Sequence, residues 1–195
     1  MIIVITPEKA LDNEPETVNE LFKEGLNLLH IRKPFSSREE VRCFISKIHS
    51  EFHHRLVLHN HYDLAEEFNL SRFHFRESDR QNIDYKNFKG KIISTSVHDI
   101  ETFNKLEKDW NYAFISPVFT SISKKGYGKK STILNDIKKR ENFKTKLIAL
   151  GGIDDNNIRN AWTDNVDGAA LLGAIWESKE PINVFRKCIQ NVHSS

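Results

Sequence analysis

Eight short apolar runs recur along this sequence, and the stretches between them mostly carry the three-and-four spacing of an amphipathic helix. The runs are Ile2 to Ile5, Leu28 to Ile31, Leu56 to Leu58, Phe73 to Phe75, Ile92-Ile93, Tyr112 to Ile115, Leu147 to Leu150 and Gly168 to Leu172. They are too short for helices and almost unbroken in apolar character, as in parallel strands buried on both faces. Helices are predicted at Pro15 to Glu24, Asp63 to Phe68, Ile100 to Leu106, Ile133 to Lys139, Asn156 to Trp162 and Pro181 to Ile189. Another follows the Ser36-Ser37-Arg38-Glu39 cap and carries Val41, Phe44, Ile45, Ile48 and Phe52. Only after the fourth run is the helix weak or missing. Strict alternation of this kind implies α/β architecture with a parallel sheet and helices outside it. Eight units imply a closed (β/α)8 TIM barrel. The rival, an open doubly wound sheet, needs a crossover that reverses strand order, and the sequence carries no mark of one.

The chain has 195 residues and no composition break or low-complexity segment, so residues 1–195 read as one compact barrel domain with short loops. The formal net charge of +2 is too small and too evenly spread to indicate nucleic acid. No apolar run reaches membrane-spanning length, and Met1 to Thr6 lacks the basic region of a signal peptide. Cys43 and Cys188 stand far apart in helix-like stretches, which suits reduced thiols and a cytoplasmic location.

In such a barrel the active site lies at the carboxyl ends of the strands. Those ends carry Thr6, Arg32 and Lys33, then His59, Asn60 and His61, then His74, Glu77 and Asp79. Further along come Ser94, Ser96 and His98, then Ser116 and Thr120, Gly151 and Gly152, and Gly173. Leu147-Ile148-Ala149-Leu150 running into Gly151-Gly152 reads as a strand ending in a turn whose N–H groups face an anion, with a helix start behind it. A plain tight turn is the alternative. Of Arg32 and Lys33, strand alternation sends one to the mouth and the other to the helix layer. A guanidinium at the mouth is a bidentate phosphate clamp. Asp79 beside such cations suggests Mg2+, which bridges protein carboxylate and substrate phosphate. His59 and His61 share a strand face, but no third ligand appears at motif spacing, so zinc is not expected. Ser96-Val97-His98-Asp99 lacks a nucleophile elbow and does not indicate a hydrolase. The basic loop Ser121 to Lys130 reads as a lid over the mouth, with Lys124 or Lys125 able to cover a polyphosphate.

Taken in order, these strand ends resemble one family. His30-Ile31-Arg32-Lys33 is similar to the Q-L-R-E-K or H-I-R-E-K stretch of thiamine phosphate synthase and its relative, the TenI-type thiazole tautomerase. His59-Asn60-His61-Tyr62-Asp63-Leu64-Ala65 resembles N-D-R-x-D-L-A, and Phe73-His74-Phe75-Arg76-Glu77-Ser78-Asp79 resembles V-H-L-G-Q-x-D. Ser96-Val97-His98-Asp99 looks like S-x-H-N, Ser116 to Lys124 like G-P-[IV]-F-x-T-x-[TS]-K, and Ala149 to Ile153 like A-I-G-G-I.

The resemblance implies an oligomeric barrel that joins a hydroxymethylpyrimidine diphosphate to a thiazole phosphate and releases pyrophosphate. By position, Arg32 and Lys124 would hold pyrophosphate, and Asp79 with Asn60 would hold Mg2+. Gly151, Gly152 and Gly173 would hold the thiazole phosphate, and Ser96 would line the pyrimidine side. His30, Lys33, His59, His74, Ser116, Thr120, Ser121 and Ser123 complete the expected substrate-binding set. Three departures stand out. Asn60 replaces a family carboxylate, His30 replaces a glutamine, and Pro117 stands where the tautomerase carries its histidine. A synthase-type transferase is the leading expectation, with a tautomerase-like protein or a non-catalytic binder of thiazole or thiamine phosphate as alternatives.

Overall fold

The apolar runs close into an eight-stranded parallel barrel in chain order, and the doubly wound alternative is set aside. The computed structural model describes residues 1–82, 84–107, 109–120, 131–163 and 165–193. The strands are β1 Ile2–Ile5, β2 Leu28–Ile31, β3 Leu56–Leu58, β4 Arg72–Phe75, β5 Ile92–Val97, β6 Tyr112–Ile115, β7 Lys146–Leu150 and β8 Gly168–Leu171. Closure comes from β1 against β8, with Ile3 opposite Ala170.

The helices are α1 Glu14–Lys23, α2 Arg38–Ser46, α3 Leu64–Phe68, α4 Ile100–Asn104, α5 Ile133–Asp136, α6 Ile158–Ala161, α7 Gly173–Trp176 and α8 Pro181–His193. Most of them are shorter than the sequence pattern suggests, although α1 keeps the expected length and α8 runs on to His193. α2 starts on a capping box in which Ser37 accepts from the Glu40 amide while the Glu40 side chain accepts from the Ser37 amide. It stops at Ser46, and the apolar spacing that continues to Phe52 is carried by a separate 3-10 segment, Ser50–Arg55. Two 3-10 segments, Glu77–Asn82 and Tyr85–Phe88, replace the missing helix after β4. The single turn α7 was not anticipated.

Two apolar cores result. Between sheet and helices, residues such as Leu29, Ile31, Leu56, Leu58, Phe103, Leu147 and Phe185 are fully buried. Inside the barrel lie Ile3, Ile5, Leu28, Val57, Tyr112, Phe114, Ile148 and Ala170. Strand parity divides the two sets. In β2, Leu28 and His30 face inward while Leu29 and Ile31 face the helices. That parity, extended one step beyond the strand, decides where the cations go.

Candidate active site

Arg32 and Lys33 separate as alternation demands. The Arg32 guanidinium stays part-exposed at the mouth, 2.6 Å from Glu8 Oε1. Lys33 turns outward into the helix layer, where its ammonium meets Glu14 Oε2 at 2.7 Å and lies 5.5 Å from the Phe44 ring centre. Lys33 is therefore a buried structural cation and not the substrate ligand expected above. Thr6 is likewise consumed by structure: its hydroxyl accepts from the Arg32 amide at 2.8 Å and donates to the Arg32 carbonyl.

The floor of the mouth is a histidine cluster. His30 of β2 and His74 of β4 are buried, and His59 stands just beyond β3, half-buried. His30 Nδ1 and His59 Nε2 are 2.8 Å apart, and the His59 and His74 rings stack with centres 4.2 Å apart. His30 Nε2 meets the Tyr112 hydroxyl at 2.8 Å. His74 lies between two serines, with Nδ1 2.9 Å from Ser94 Oγ and Nε2 3.1 Å from Ser96 Oγ. Burial, first of all, holds the three imidazoles below their ordinary basicity. His74 and Arg72 add to this for His30, and His74, His30 and Arg32 for His59. His74 falls to about 3, with Arg32 lowering it further and Asp79 opposing. The rings are neutral at physiological pH. The barrel register brings His30 and His74 beside His59 from other strands, neighbours that motif spacing does not show. Tyr112 and Glu8 are further members that spacing did not single out. Counting parity inward from Leu28, and from Phe114 back to Tyr112, is the signal that finds the ring partners.

Two oxygen donors flank this floor. Asn60 Nδ2 donates to the Lys33 carbonyl at 3.0 Å, and its Oδ1 is buried without a hydrogen-bond partner among the described residues. Both oxygens of Asp79 are engaged, one by Arg76 Nε at 3.0 Å and the other by Ser78 Oγ at 3.1 Å. The Arg76 contact is the main reason its carboxyl sits below the usual range.

Gly151 and Gly152 hold positive φ, +106° and +64°. A Cβ on Gly152 would overlap the Thr120 carbonyl oxygen, and one on Gly151 would lie 2.9 Å from Pro117 Cα. The glycine pair therefore admits the β6 loop as well as leaving amides near the mouth. The Val118 and Phe119 amides donate to the Leu150 and Gly151 carbonyls at 2.9 and 3.0 Å. Ser116 is buried, and its carbonyl accepts from His98 Nδ1 at 3.0 Å. Thr120 is exposed at the end of this loop. Gly173 begins α7, whose Trp176 indole N–H donates to the Ile5 carbonyl at 2.7 Å. Ser121, Ser123 and Lys124, and the lid assigned to Ser121 to Lys130, lie outside the described residues.

A mouth that carries an arginine, a glycine turn and a short extra helix defines a phosphate-handling (β/α)8 enzyme. Comparison with known proteins narrows the class. The family model described as thiamine monophosphate synthase matches residues 2–175, so the chain belongs to that family. Among its relatives is the thiamine-phosphate synthase of Clostridium tetani, 28% identical over 158 residues, covering 77% of this chain and 75% of that protein. The thiamine phosphate pyrophosphorylase structure from Bacteroides thetaiotaomicron is 26% identical with a TM-score of 0.78, covering 97% of this chain and 96% of that one. The fold alone is shared with thiamine phosphate pyrophosphorylase from Pyrococcus furiosus, at a TM-score of 0.83, 20% identity, and coverage of 99% and 95%.

Proposed function

We propose that this chain is a thiamine-phosphate synthase-type transferase that joins hydroxymethylpyrimidine diphosphate to thiazole phosphate and releases pyrophosphate. Family membership over residues 2–175 supports this activity. The observation that carries the assignment to residues is that a part-exposed guanidinium and a positive-φ glycine turn stand at the carboxyl ends of different strands of one barrel. Arg32 follows β2, the Gly151-Gly152 turn follows β7, and the α7 start follows β8. Two phosphorylated substrates need two such elements. The C–O bond to the diphosphate breaks, and the pyrimidine methylene carbon then forms a C–N bond with the thiazole nitrogen.

In this reading Arg32 and Lys124 receive the departing pyrophosphate, and Gly151, Gly152 and Gly173 seat the thiazole phosphate. Ser96, held by His74, faces the pyrimidine. Arg32 stabilises the charge that leaves. Asp79 and Asn60 would hold Mg2+, Asp79 giving up its Arg76 contact for the ion, because this ion needs only one or two protein oxygens beside water and phosphate. The unpartnered Asn60 Oδ1 supports that reading. When bound, Mg2+ neutralises charge on the diphosphate.

Among the described residues no helix is long and apolar enough to cross a membrane. Small phosphorylated substrates, a cytoplasmic location and a homo-oligomer complete the proposal.

The test is an assay of purified protein with both substrates, with and without Mg2+, following thiamine phosphate. Mg2+-dependent product is expected, with a gain in Asn60→Asp. No product while thiamine phosphate still binds would overturn the transferase reading in favour of a binder. Tautomerase activity alone would favour the relative, despite Pro117 at its histidine position.

A further inference from the structure

We propose that His30, His59 and His74 form a binding site for a divalent transition metal of Zn2+ type, with its fourth position open to the mouth. One nitrogen from each ring lies within 4.8 Å of the others, on three different strand ends. Tetrahedral Zn2+ with Zn–N near 2.0–2.1 Å needs nitrogens about 3.3 Å apart. Ring rotation must open the 2.8 Å between His30 Nδ1 and His59 Nε2 and close the wider separations to reach that spacing.

The hydrogen-bond chain behind the rings sets their tautomers for this. Ser94 Oγ donates its one proton to the Phe73 carbonyl at 3.2 Å. It must then accept from His74 Nδ1–H, which leaves the His74 Nε2 lone pair facing Ser96 and the cluster. His30 Nε2 lies 2.8 Å from the Tyr112 hydroxyl, and in the tautomer that donates to it the His30 Nδ1 lone pair faces His59. Two of the three rings thus present lone pairs to one point, each with its other nitrogen fixed by an outer partner, as metal-bound histidines require. In the third, His59 exchanges its Nε2–H bond to His30 for coordination through the same nitrogen and carries its proton on Nδ1. No proton is lost overall.

The donor set selects the metal. Three neutral imidazoles and no carboxylate disfavour Mg2+ and favour Zn2+, Co2+, Ni2+ or Cu2+. This site is thus chemically separate from the Asp79–Asn60 oxygens. The Arg32 cation lies close enough to depress both His59 and His74, and no ligand carries negative charge. An anionic oxygen, from hydroxide or from a phosphate, is the fitting fourth ligand. The inference is argued from the rings and does not depend on the transferase reading.

The experiment uses chelator-treated full-length protein and inorganic Zn2+, with affinity read by competition against a chromogenic chelator. One equivalent is expected to bind, undisturbed by excess Mg2+. His30→Gln and His74→Gln should each weaken it by about a hundredfold or more, beyond the ten- to hundredfold typical of outer-partner loss. Tyr112→Phe should weaken it about tenfold. His53→Ala, in a ring that bonds the Ile48 carbonyl away from the cluster, should change nothing. Because the buried substitutions can disturb folding, Co2+ is added to the wild type in parallel. Intense visible bands of tetrahedral Co2+ that shift when pyrophosphate is added are expected. Absent or weak octahedral bands, or Zn2+ binding unchanged in folded His30→Gln and His74→Gln, would overturn the proposal.

Discussion

Lys33 Nζ lies 2.7 Å from Glu14 Oε2, with both side chains almost wholly buried between the barrel and α1. Burial pushes the Glu14 carboxyl up, against the downward pull of Lys33. The other Glu14 oxygen has no hydrogen-bond partner among the described residues. Removing one member strands the other charge in the interior, so Lys33→Ala should destabilise the protein by about 3–5 kcal/mol. The double change Lys33→Met with Glu14→Leu should recover most of that loss. Urea unfolding of the single and double variants reads both numbers, and pyrophosphate affinity of the folded double variant should equal that of the wild type.

Arg32 behaves oppositely. Arg32→Ala should weaken pyrophosphate binding about ten- to a hundredfold, the range of a charge-assisted contact, with little change in stability. Glu8→Gln removes the carboxylate that now holds the guanidinium and should tighten pyrophosphate binding. Calorimetry on both variants checks the pair. Equal affinities in all three proteins would remove Arg32 from the site.

Gly152→Ala adds a left-handed strain of about 1–2 kcal/mol and an overlap with the β6 loop. Gly25 also has positive φ, +98°, but nothing lies within 4 Å of its Cβ position, so Gly25→Ala should show the strain alone. The difference in unfolding free energy between the two variants measures the overlap. Gly152→Ala should also weaken thiazole phosphate binding, while Gly25→Ala should not.

In metal-free protein the neutral histidine floor gives a pH dependence of definite sign. His74 titrates near 3 when folded and near the ordinary 6.5 when unfolded. Between those values the unfolded chain binds more protons, so stability is full above about pH 6.5 and falls as pH drops toward 3. His74→Gln should flatten the urea midpoint profile across that window. An unchanged slope would mean that His74 is not buried as a neutral ring.

The barrel is legible in the sequence because strands buried on both faces leave continuous apolar runs, and β1, β2, β3 and β6 fall where those runs lie. Helix lengths are less so. A segment of four or five residues, such as α5 or α6, completes barely one turn, and apolar spacing cannot say whether its flanks continue. Spacing placed Phe52 on the helix of Val41, though the chain leaves the α-helical path after Ser46. At the site, Arg32 and Lys33 form an ambiguous pair until the direction of His30 fixes parity. The histidine floor was out of reach of motif spacing, because His30, His59 and His74 belong to separate βα units and meet only through register. The hold of Arg76 on Asp79 is equally invisible in the sequence, because residue spacing does not say that the Arg76 side chain folds back.

The β6 and β7 loops share two backbone hydrogen bonds and a glycine contact that admits no side chain. They form one mechanical piece. A ligand that settles on the Gly151-Gly152 turn also immobilises Pro117 to Thr120, the root from which the basic segment departs. The loss of freedom is then incurred once and shared by both loops. Occupancy at the β7 side should favour binding at the mouth it adjoins, an ordering of substrates that arises without any change of shape.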